Sequence, residues 1–156
     1  MIELNIPGFG AFALEHLVLD YNGTLALDGK LLPGVAEVLG ALEPELAIHI
    51  VTADTFGLAA KQLARLPVEL TILSGANQQE AKLEFIRNLG PQQVVAIGNG
   101  RNDAKMLAEA AIGIAVVQRE GAAASALASA DIVANSFWEA LDLLRHPRRL
   151  VATLRS

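Results

Sequence analysis

Short apolar segments alternate with helical patterns along nearly the whole chain, and this alternation restricts the fold more than any other feature. Strands are predicted at 17–19, 47–51, 69–73, 93–97, 112–116 and 132–133. Helices are predicted at 35–42, 56–66, 78–89, 104–110, 121–128 and 137–144. The strands are apolar at consecutive positions, which is typical of strands covered on both faces. The pattern therefore predicts an α/β fold: a doubly wound, Rossmann-like three-layer sandwich around a mainly parallel sheet.

The two ends of the chain are predicted to be small additions to one domain spanning residues 1–156. In segment 1–16, Pro7 and Gly8 separate two apolar stretches, so an edge strand or a hairpin is expected there. Pro147 interrupts the last helical pattern, so 147–156 is expected to form a short terminal helix. No stretch is long enough to act as a linker between domains.

Composition excludes several classes of protein. The formal net charge of −5 argues against nonspecific binding to nucleic acid, which requires excess Lys and Arg. No apolar run is long enough to cross a bilayer, and no signal peptide is visible at the N-terminus. The chain has no cysteine, which excludes disulfides and thiolate metal sites and fits a reducing compartment. A cytoplasmic location without membrane insertion is expected.

Two polar loops follow apolar strands and are the candidate site. The first runs from Asp20 to Thr24 and contains a carboxylate, an amide, a glycine and a hydroxyl. The second, Gly98–Asp103, follows a strand far downstream. Asp and Asn-Gly also end strands in ordinary turns, so the first loop alone would be ambiguous. In doubly wound sheets, however, ligands bind beyond the carboxyl ends of the strands, where both loops are expected.

Four features taken together resemble one family. They are the loop Asp20-x-Asn22-Gly23-Thr24, the strand end Val51-Thr52, Lys82 on a helix, and the loop Gly98-Asn99-Gly100-x-Asn102-Asp103. In this order they resemble the haloacid-dehalogenase-like (HAD) phosphohydrolases, from Leu17 to about Leu144. Within that superfamily the likeness is greatest to small soluble proteins related to the phosphorylation domain of P-type ATPases. The two loops are specific as a pair, whereas Thr52 and Lys82 alone would be weak signals.

The resemblance implies roles in phosphoryl transfer. Asp20 matches the nucleophile that forms an aspartyl-phosphate, Thr52 the hydroxyl that binds a phosphoryl oxygen, and Lys82 the cation that offsets its charge. Gly23 and Ala53 match phosphate-binding positions. Lys61, on another predicted helix, is an alternative candidate for the cation.

The resemblance also implies an Mg²⁺ cofactor, which requires hard oxygen ligands. The matching ligands are the Asp20 carboxylate, the Asn22 backbone carbonyl and the Asn99 side chain, with Asp103 in or beside the shell. Asn102 would orient the loop. Asp103 has an alternative role as the cap of the helix that begins at Ala104.

Two asparagines depart from the pattern of the family. Most of its phosphatases carry an acid at the position of Asn22, and an amide cannot transfer a proton at neutral pH. Losing such a group lowers rates by about 10²–10⁴-fold. P-type ATPases also lack this acid. Asn99 stands where an Asp usually binds the metal, so weaker Mg²⁺ binding is expected.

Three functions are compatible with these residues. The first is a slow or specialised Mg²⁺-dependent phosphatase, which the retention of Asp20, Thr52, Lys82 and Asp103 favours. The second is a catalytically silent relative that binds a phosphorylated ligand or a partner protein. The third, a receiver-like signalling domain, is disfavoured because no acidic pair precedes the acceptor Asp.

The spacing leaves no room for a cap domain between Asn22 and Val35 or between Thr52 and Lys82. The site is therefore expected to be open on one side. By resemblance, capless members act on large phosphorylated substrates or close the site with a neighbouring subunit, so either a small or a macromolecular substrate, and a homo-oligomer, fit the sequence.

Overall fold

The computed structural model describes residues 1–54 and 57–156. Its centre is a six-stranded parallel sheet in the order β10-β9-β8-β3-β6-β7. These strands are β3 (His16–Leu19), β6 (Ala47–Thr52), β7 (Glu69–Ile72), β8 (Val94–Gly98), β9 (Ile112–Val116) and β10 (Ile132–Ala134). They correspond to the six predicted strands, so the doubly wound α/β fold is confirmed.

Seven α-helices connect or follow the strands in the described part of the chain. They are α1 (Val35–Leu42), α2 (Ala59–Leu63), α3 (Gln78–Leu89), α4 (Ala104–Glu109), α5 (Ala124–Ser129), α6 (Phe137–Arg145) and α7 (Pro147–Leu154). The helix predicted at 56–66 is shorter, and its first residue, Phe56, lies outside the described residues. The helix predicted at 121–128 begins later, at Ala124, because residues 118–121 form a turn. No helix among the described residues is long and apolar enough to cross a membrane.

The sheet is covered on both faces, as its consecutive apolar residues predict. Leu17 and Leu19 of β3 belong to one hydrophobic cluster, and Val18 between them belongs to the other. All three are fully buried. Because neighbouring side chains of a strand point to opposite faces, this assignment requires helices on both sides.

The polar loops meet at the switch point of this sheet. β3 pairs with β6 on one side and with β8 on the other. The chain winds from β3 outward through β6 and β7, and then returns to β8 and winds the other way. The loops after β3 and β8 diverge from this point, which opens a crevice at their carboxyl ends.

Two small hairpins complete the structure. At the N-terminus, β1 (Ile2–Ile6) pairs antiparallel with β2 (Gly10–Leu14) as a separate two-stranded sheet. The C-terminal residue closes against this hairpin, where the Ser156 amide donates to the Pro7 carbonyl at 3.0 Å. A second hairpin, β4 (Ala26–Leu27) and β5 (Lys30–Leu31), occupies the connection between β3 and α1.

Candidate active site

Three adjacent strands deliver the predicted site residues to one edge of the sheet. Asp20 directly follows β3, and its amide donates to the Ile97 carbonyl of β8 at 3.0 Å. Asn99 directly follows β8. Thr52 ends β6, two residues beyond Ile50, which pairs with Leu19. The parallel register therefore brings together residues that are far apart in the chain.

A buried lysine joins the two loops. The Nζ atom of Lys82 donates to Oδ1 of Asp20 and to Oδ1 of Asp103, at 2.7 Å each. Lys82 is only 1% exposed and Asp103 is fully buried. Lys82 lies on the inward face of α3 with Leu83 and Ile86. Two carboxylates against one ammonium leave this triad with a net charge of minus one when all three groups are ionised.

Burial and mutual contact shift the pKa values of Asp20 and Lys82. Burial and the nearby Asp103 carboxylate raise the pKa of Asp20 to about 6, although Lys82 and its hydrogen bond oppose the rise. Burial alone would lower the pKa of Lys82, but the carboxylates of Asp20 and Asp103 outweigh burial and raise it. At pH 7 the site therefore holds a charged lysine and an Asp20 that is mostly carboxylate.

Asp103 fastens the second loop. Its Oδ2 accepts hydrogen bonds from the amides of Asn99 at 3.0 Å and Gly100 at 2.8 Å. A Cβ at Gly98 would lie 2.6 Å from the Asp103 carboxyl carbon, so only glycine permits this packing. The Asp103 side chain makes no cap hydrogen bond to α4. In the described structure this carboxylate thus turns back into the loop and toward Lys82.

Thr24 connects the two loops from the opposite side. Its hydroxyl lies 3.3 Å from Oδ2 of Asp20 and 3.4 Å from Oδ1 of Asn99. One hydroxyl has a single proton to donate, so at most one of these oxygens is satisfied at a time. The Asn99 amide is oriented by its Nδ2, which donates to the Gly121 carbonyl at 3.1 Å. Oδ1 of Asn99 therefore faces the same small region as Oδ2 of Asp20.

The remaining predicted residues lie at the edge of this constellation. The Thr52 side chain is buried, and its hydroxyl oxygen accepts from the Asp54 amide at 3.1 Å, which leaves its proton available to a ligand. Ala53 is exposed beside it. Asn102 is also exposed and makes no side-chain hydrogen bond within the described residues. Lys61 is exposed on α2, whereas Lys82 contacts Asp20.

The oxygen donors fit a hard divalent cation. No group of three or more His, Asp or Glu side chains within residues 1–54 and 57–156 has the arrangement of a metal centre. The converging donors are instead a carboxylate oxygen of Asp20 and an amide oxygen of Asn99. The Oδ1 atom of Asn22 is buried and has no hydrogen-bond partner among the described residues. The converging oxygens of Asp20 and Asn99, next to a triad with a net negative charge, are a suitable environment for Mg²⁺.

Sequence reasoning did not assign a role to Thr24 or Gln118. The Nε2 of Gln118 donates to the carbonyls of Gly23 at 3.1 Å and Thr24 at 2.9 Å. Its Oε1 accepts from the Phe137 amide at 2.8 Å. Gln118 thus connects the loop Asp20–Thr24 to the start of α6. Thr24 lies within the first loop motif, so its role could have been predicted from the sequence. The contact of Gln118 with Gly23 and Thr24 spans more than 90 residues, and no local sequence signal marks it.

Two cavities lie beside the loops of the site. A cavity of about 170 Å³ lies beside Gly23 and is lined also by Ala26, Leu32 and Gln118. A larger groove of about 540 Å³ lies beside the second loop, against Asn102 and the start of α3. The connection between β3 and α1 contains only the short β4–β5 hairpin and its flanking loops, so no cap domain is inserted there.

Comparison with known proteins gives two related sequences and many related folds. The uncharacterised protein MJ0073 of Methanocaldococcus jannaschii is 40% identical over 83 residues, which cover 51% of this chain and 89% of that protein. The 3-deoxy-D-manno-octulosonate 8-phosphate phosphatase of Moraxella catarrhalis has a similar structure, with a TM-score of 0.70 at 17% identity. The match covers 92% of this chain and 94% of that one.

A zinc-transporting PIB-type ATPase also contains this fold. Its match has a TM-score of 0.59 at 24% identity and covers 78% of this chain and 20% of the transporter. The family model described as haloacid dehalogenase-like hydrolase matches residues 2–111, which is more than half of the chain. The expected family is thereby confirmed: this chain belongs to the haloacid dehalogenase-like hydrolases.

Proposed function

We propose that this protein is an Mg²⁺-dependent phosphohydrolase that acts through an aspartyl-phosphate on Asp20. The observation that carries the proposal is the Lys82 ammonium, buried between Asp20 and Asp103 at 2.7 Å from each. A buried net negative triad is costly for a fold, and it is useful where a carboxylate must be positioned against a phosphoryl group.

In the first step a carboxylate oxygen of Asp20 attacks the phosphorus. The bond from phosphorus to the leaving oxygen breaks, and its electron pair goes to that oxygen. Oδ1 of Asp20 is held by Lys82, whereas Oδ2 receives only the longer contact from Thr24. In the second step water attacks the phosphorus of the aspartyl-phosphate, releases inorganic phosphate and regenerates the carboxylate.

The chain supplies charge and orientation to this transfer. Lys82 offsets negative charge on the phosphoryl oxygens, and Thr52 has a free hydroxyl proton for one of them. Gly23 and Ala53 are the proposed backbone contacts to phosphate. Asp20, the Asn22 carbonyl and Asn99 would hold Mg²⁺, with Asp103 fixing the loop beneath them and Asn102 at its outer edge. When bound, the metal neutralises charge on the phosphoryl group.

The leaving group decides the rate in this proposal. Asn22 stands where a carboxylic acid would protonate the departing oxygen, and its amide cannot do so. The leaving groups of aryl and acyl phosphates depart as stable anions, whereas the leaving oxygen of a sugar or other alkyl phosphate needs a proton. The proposed substrates are therefore activated phosphates, and turnover of alkyl esters is expected to be slow.

The substrate itself is a phosphorylated small molecule or a phosphorylated macromolecule. The structure of the Moraxella catarrhalis protein is a complex with magnesium, phosphate and its sugar acid, which supports a phosphate-and-metal site in a fold of this kind. An open site without a cap is compatible with a large substrate or with closure by a second copy of the chain. A silent relative that only binds a phosphorylated ligand is the alternative.

The test compares phosphate release from an aryl phosphate and a sugar phosphate, with Mg²⁺ and with EDTA. We expect Mg²⁺-dependent release from the aryl phosphate and a much lower rate on the sugar phosphate. Asp20→Asn should abolish release, while Asp28→Asn, an exposed aspartate, should not. Absence of release from folded, metal-saturated protein would favour the silent alternative. Equal rates on both substrates would contradict the role given to Asn22.

A further inference from the structure

A tight turn after β9 lies against the nucleophile loop. It runs from Gln118 to Gly121, and the Gly121 amide donates to the Gln118 carbonyl at 2.9 Å. Gly121 has a φ of +72°, a conformation that favours glycine. Gln118 anchors the turn to the carbonyls of Gly23 and Thr24. The two residues at its tip, Arg119 and Glu120, are consequently held beside the site.

The Glu120 carboxylate lies against Gly23. A Cβ placed on Gly23 would lie 2.3 Å from Oε2 of Glu120 and 2.4 Å from Nδ2 of Asn99. These two side chains therefore meet over the glycine, and a side chain at position 23 would displace them. Glu120 makes no ion pair within the described residues. A carboxylate thus lies beside Asn99 without a counter-charge of its own.

Asn99 holds this turn in place. Its side-chain Nδ2 donates to the Gly121 carbonyl at 3.1 Å, and the backbone carbonyl of Asn99 accepts from the Ala123 amide at 2.9 Å. An aspartate at position 99 would keep a metal-binding oxygen, but its second oxygen would face the Gly121 carbonyl and could not donate. The amide at position 99 therefore donates a hydrogen bond to the turn that carries Glu120, which a carboxylate could not do.

We propose that Glu120 provides the metal site with the negative charge that Asn99 does not, and that Asn99 positions it by binding Gly121. This inference rests on the proposed metal-dependent function. The triad of Asp20, Asp103 and Lys82 contributes a charge of minus one, and the Glu120 carboxylate, which lies against Gly23 and Asn99, adds a second negative charge beside the proposed metal ligands. Glu120 lies outside both loop motifs of the sequence.

The test measures metal affinity without substrate. Mn²⁺, which takes the same oxygen ligands as Mg²⁺, is titrated and its free concentration followed by electron paramagnetic resonance. A unit charge about 6 Å from a divalent ion changes its affinity about tenfold even at the dielectric constant of water. We expect Glu120→Gln to weaken Mn²⁺ binding by about that factor. The matched control Glu3→Gln, an exposed glutamate on β1, should leave the affinity unchanged.

Position 99 supplies a second measurement. In the Glu120→Gln background, Asn99→Asp should restore the affinity because it returns the missing charge. In the wild-type background, Asn99→Asp should increase the Mn²⁺ affinity less, because loss of the hydrogen bond to Gly121 releases Glu120 from its position. The two substitutions are thus expected to be non-additive.

Three results would overturn the inference, and they are distinguishable. Mn²⁺ affinity of Glu120→Gln within twofold of wild type would overturn it and leave the proposed hydrolase intact. A wild-type protein that binds no Mn²⁺ would overturn it together with the proposed metal site. Equal losses in Glu120→Gln and Glu3→Gln would show a general effect of net charge, which also contradicts a specific role for Glu120.

Discussion

The ionised Asp20 carboxylate is expected to lower the stability of the metal-free fold, and the substitution Asp20→Asn measures this effect. Burial, with a smaller contribution from Asp103, raises the pKa of Asp20 from its ordinary value of 3.8 to about 6. The folded state therefore binds the proton more tightly than the unfolded state. The associated stability is complete below pH 4 and is lost as the pH rises through 6. Since one pKa unit corresponds to about 1.4 kcal/mol, the loss is about 3 kcal/mol.

Asn at position 20 has the shape of protonated Asp and does not titrate. Lys82 keeps Asp103 as its partner, so the substitution leaves no buried charge alone. We expect Asp20→Asn to have a higher unfolding free energy than the wild type, by about 1 kcal/mol at pH 4.5 and by up to about 3 kcal/mol at pH 8.

Urea denaturation in EDTA between pH 4.5 and 8 gives this difference directly. Asp28→Asn controls for the loss of one exposed carboxylate. An Asp20→Asn protein that is less stable than wild type at pH 8, or a difference that does not change with pH, would refute the reasoning.

Three further outcomes are expected. Lys82→Met leaves two buried carboxylates without their cation, so it should abolish turnover and lower the unfolding free energy by about 3–5 kcal/mol at pH 8. The loss should be smaller at pH 5, where Asp20 takes up a proton, and denaturation at both pH values checks this. Asn22→Asp should raise turnover of sugar phosphates by up to about 10²–10⁴-fold and that of aryl phosphates much less, and an unchanged ratio of the two rates would contradict it. Burial lowers the pKa of His49, whose Nε2 lies 3.1 Å from Nδ1 of His16, so the stability that neutral His49 contributes is lost as the pH falls below 6.5. His49→Gln should remove this part of the pH dependence of unfolding. An unchanged slope of unfolding free energy against pH would contradict this.

The sheet and its helices could be predicted because their signals are local. Consecutive apolar residues marked each central strand, and Gly90 with Pro91 marked the end of α3. The β4–β5 hairpin was missed because each strand has only two residues. Its turn carried a usable signal, since Asp28 and Gly29 both have positive φ and form the Asp-Gly pair typical of tight hairpins.

The site was predictable to the extent that its residues form motifs. Asp20 and Asp103, which belong to the two loop motifs, each lie 2.7 Å from Nζ of Lys82. The helix predicted at 121–128 was given too early a start, because Gly121 closes the turn that carries Glu120 and the helix begins at Ala124. The contact of this turn with Gly23 depends on the order of strands in the sheet. Such a contact has no signal within any short stretch of the sequence.

In the proposed mechanism, the pKa of Asp20 reflects opposing requirements on a nucleophilic carboxylate. It must be buried to exclude water from the phosphoryl group, and burial favours its neutral form. It must also be ionised to attack. Lys82 favours the ionised form, but Lys82 is shared with Asp103, so its charge cannot fully offset burial. A pKa of about 6 is the resulting balance, and it keeps Asp20 mostly ionised at pH 7. A cation bound by Asp20 and Asn99 would shift this balance further toward the carboxylate. The negative charge that weakens the metal-free fold would then attract the cation, and the cation would in turn stabilise the ionised Asp20 that the proposed reaction requires.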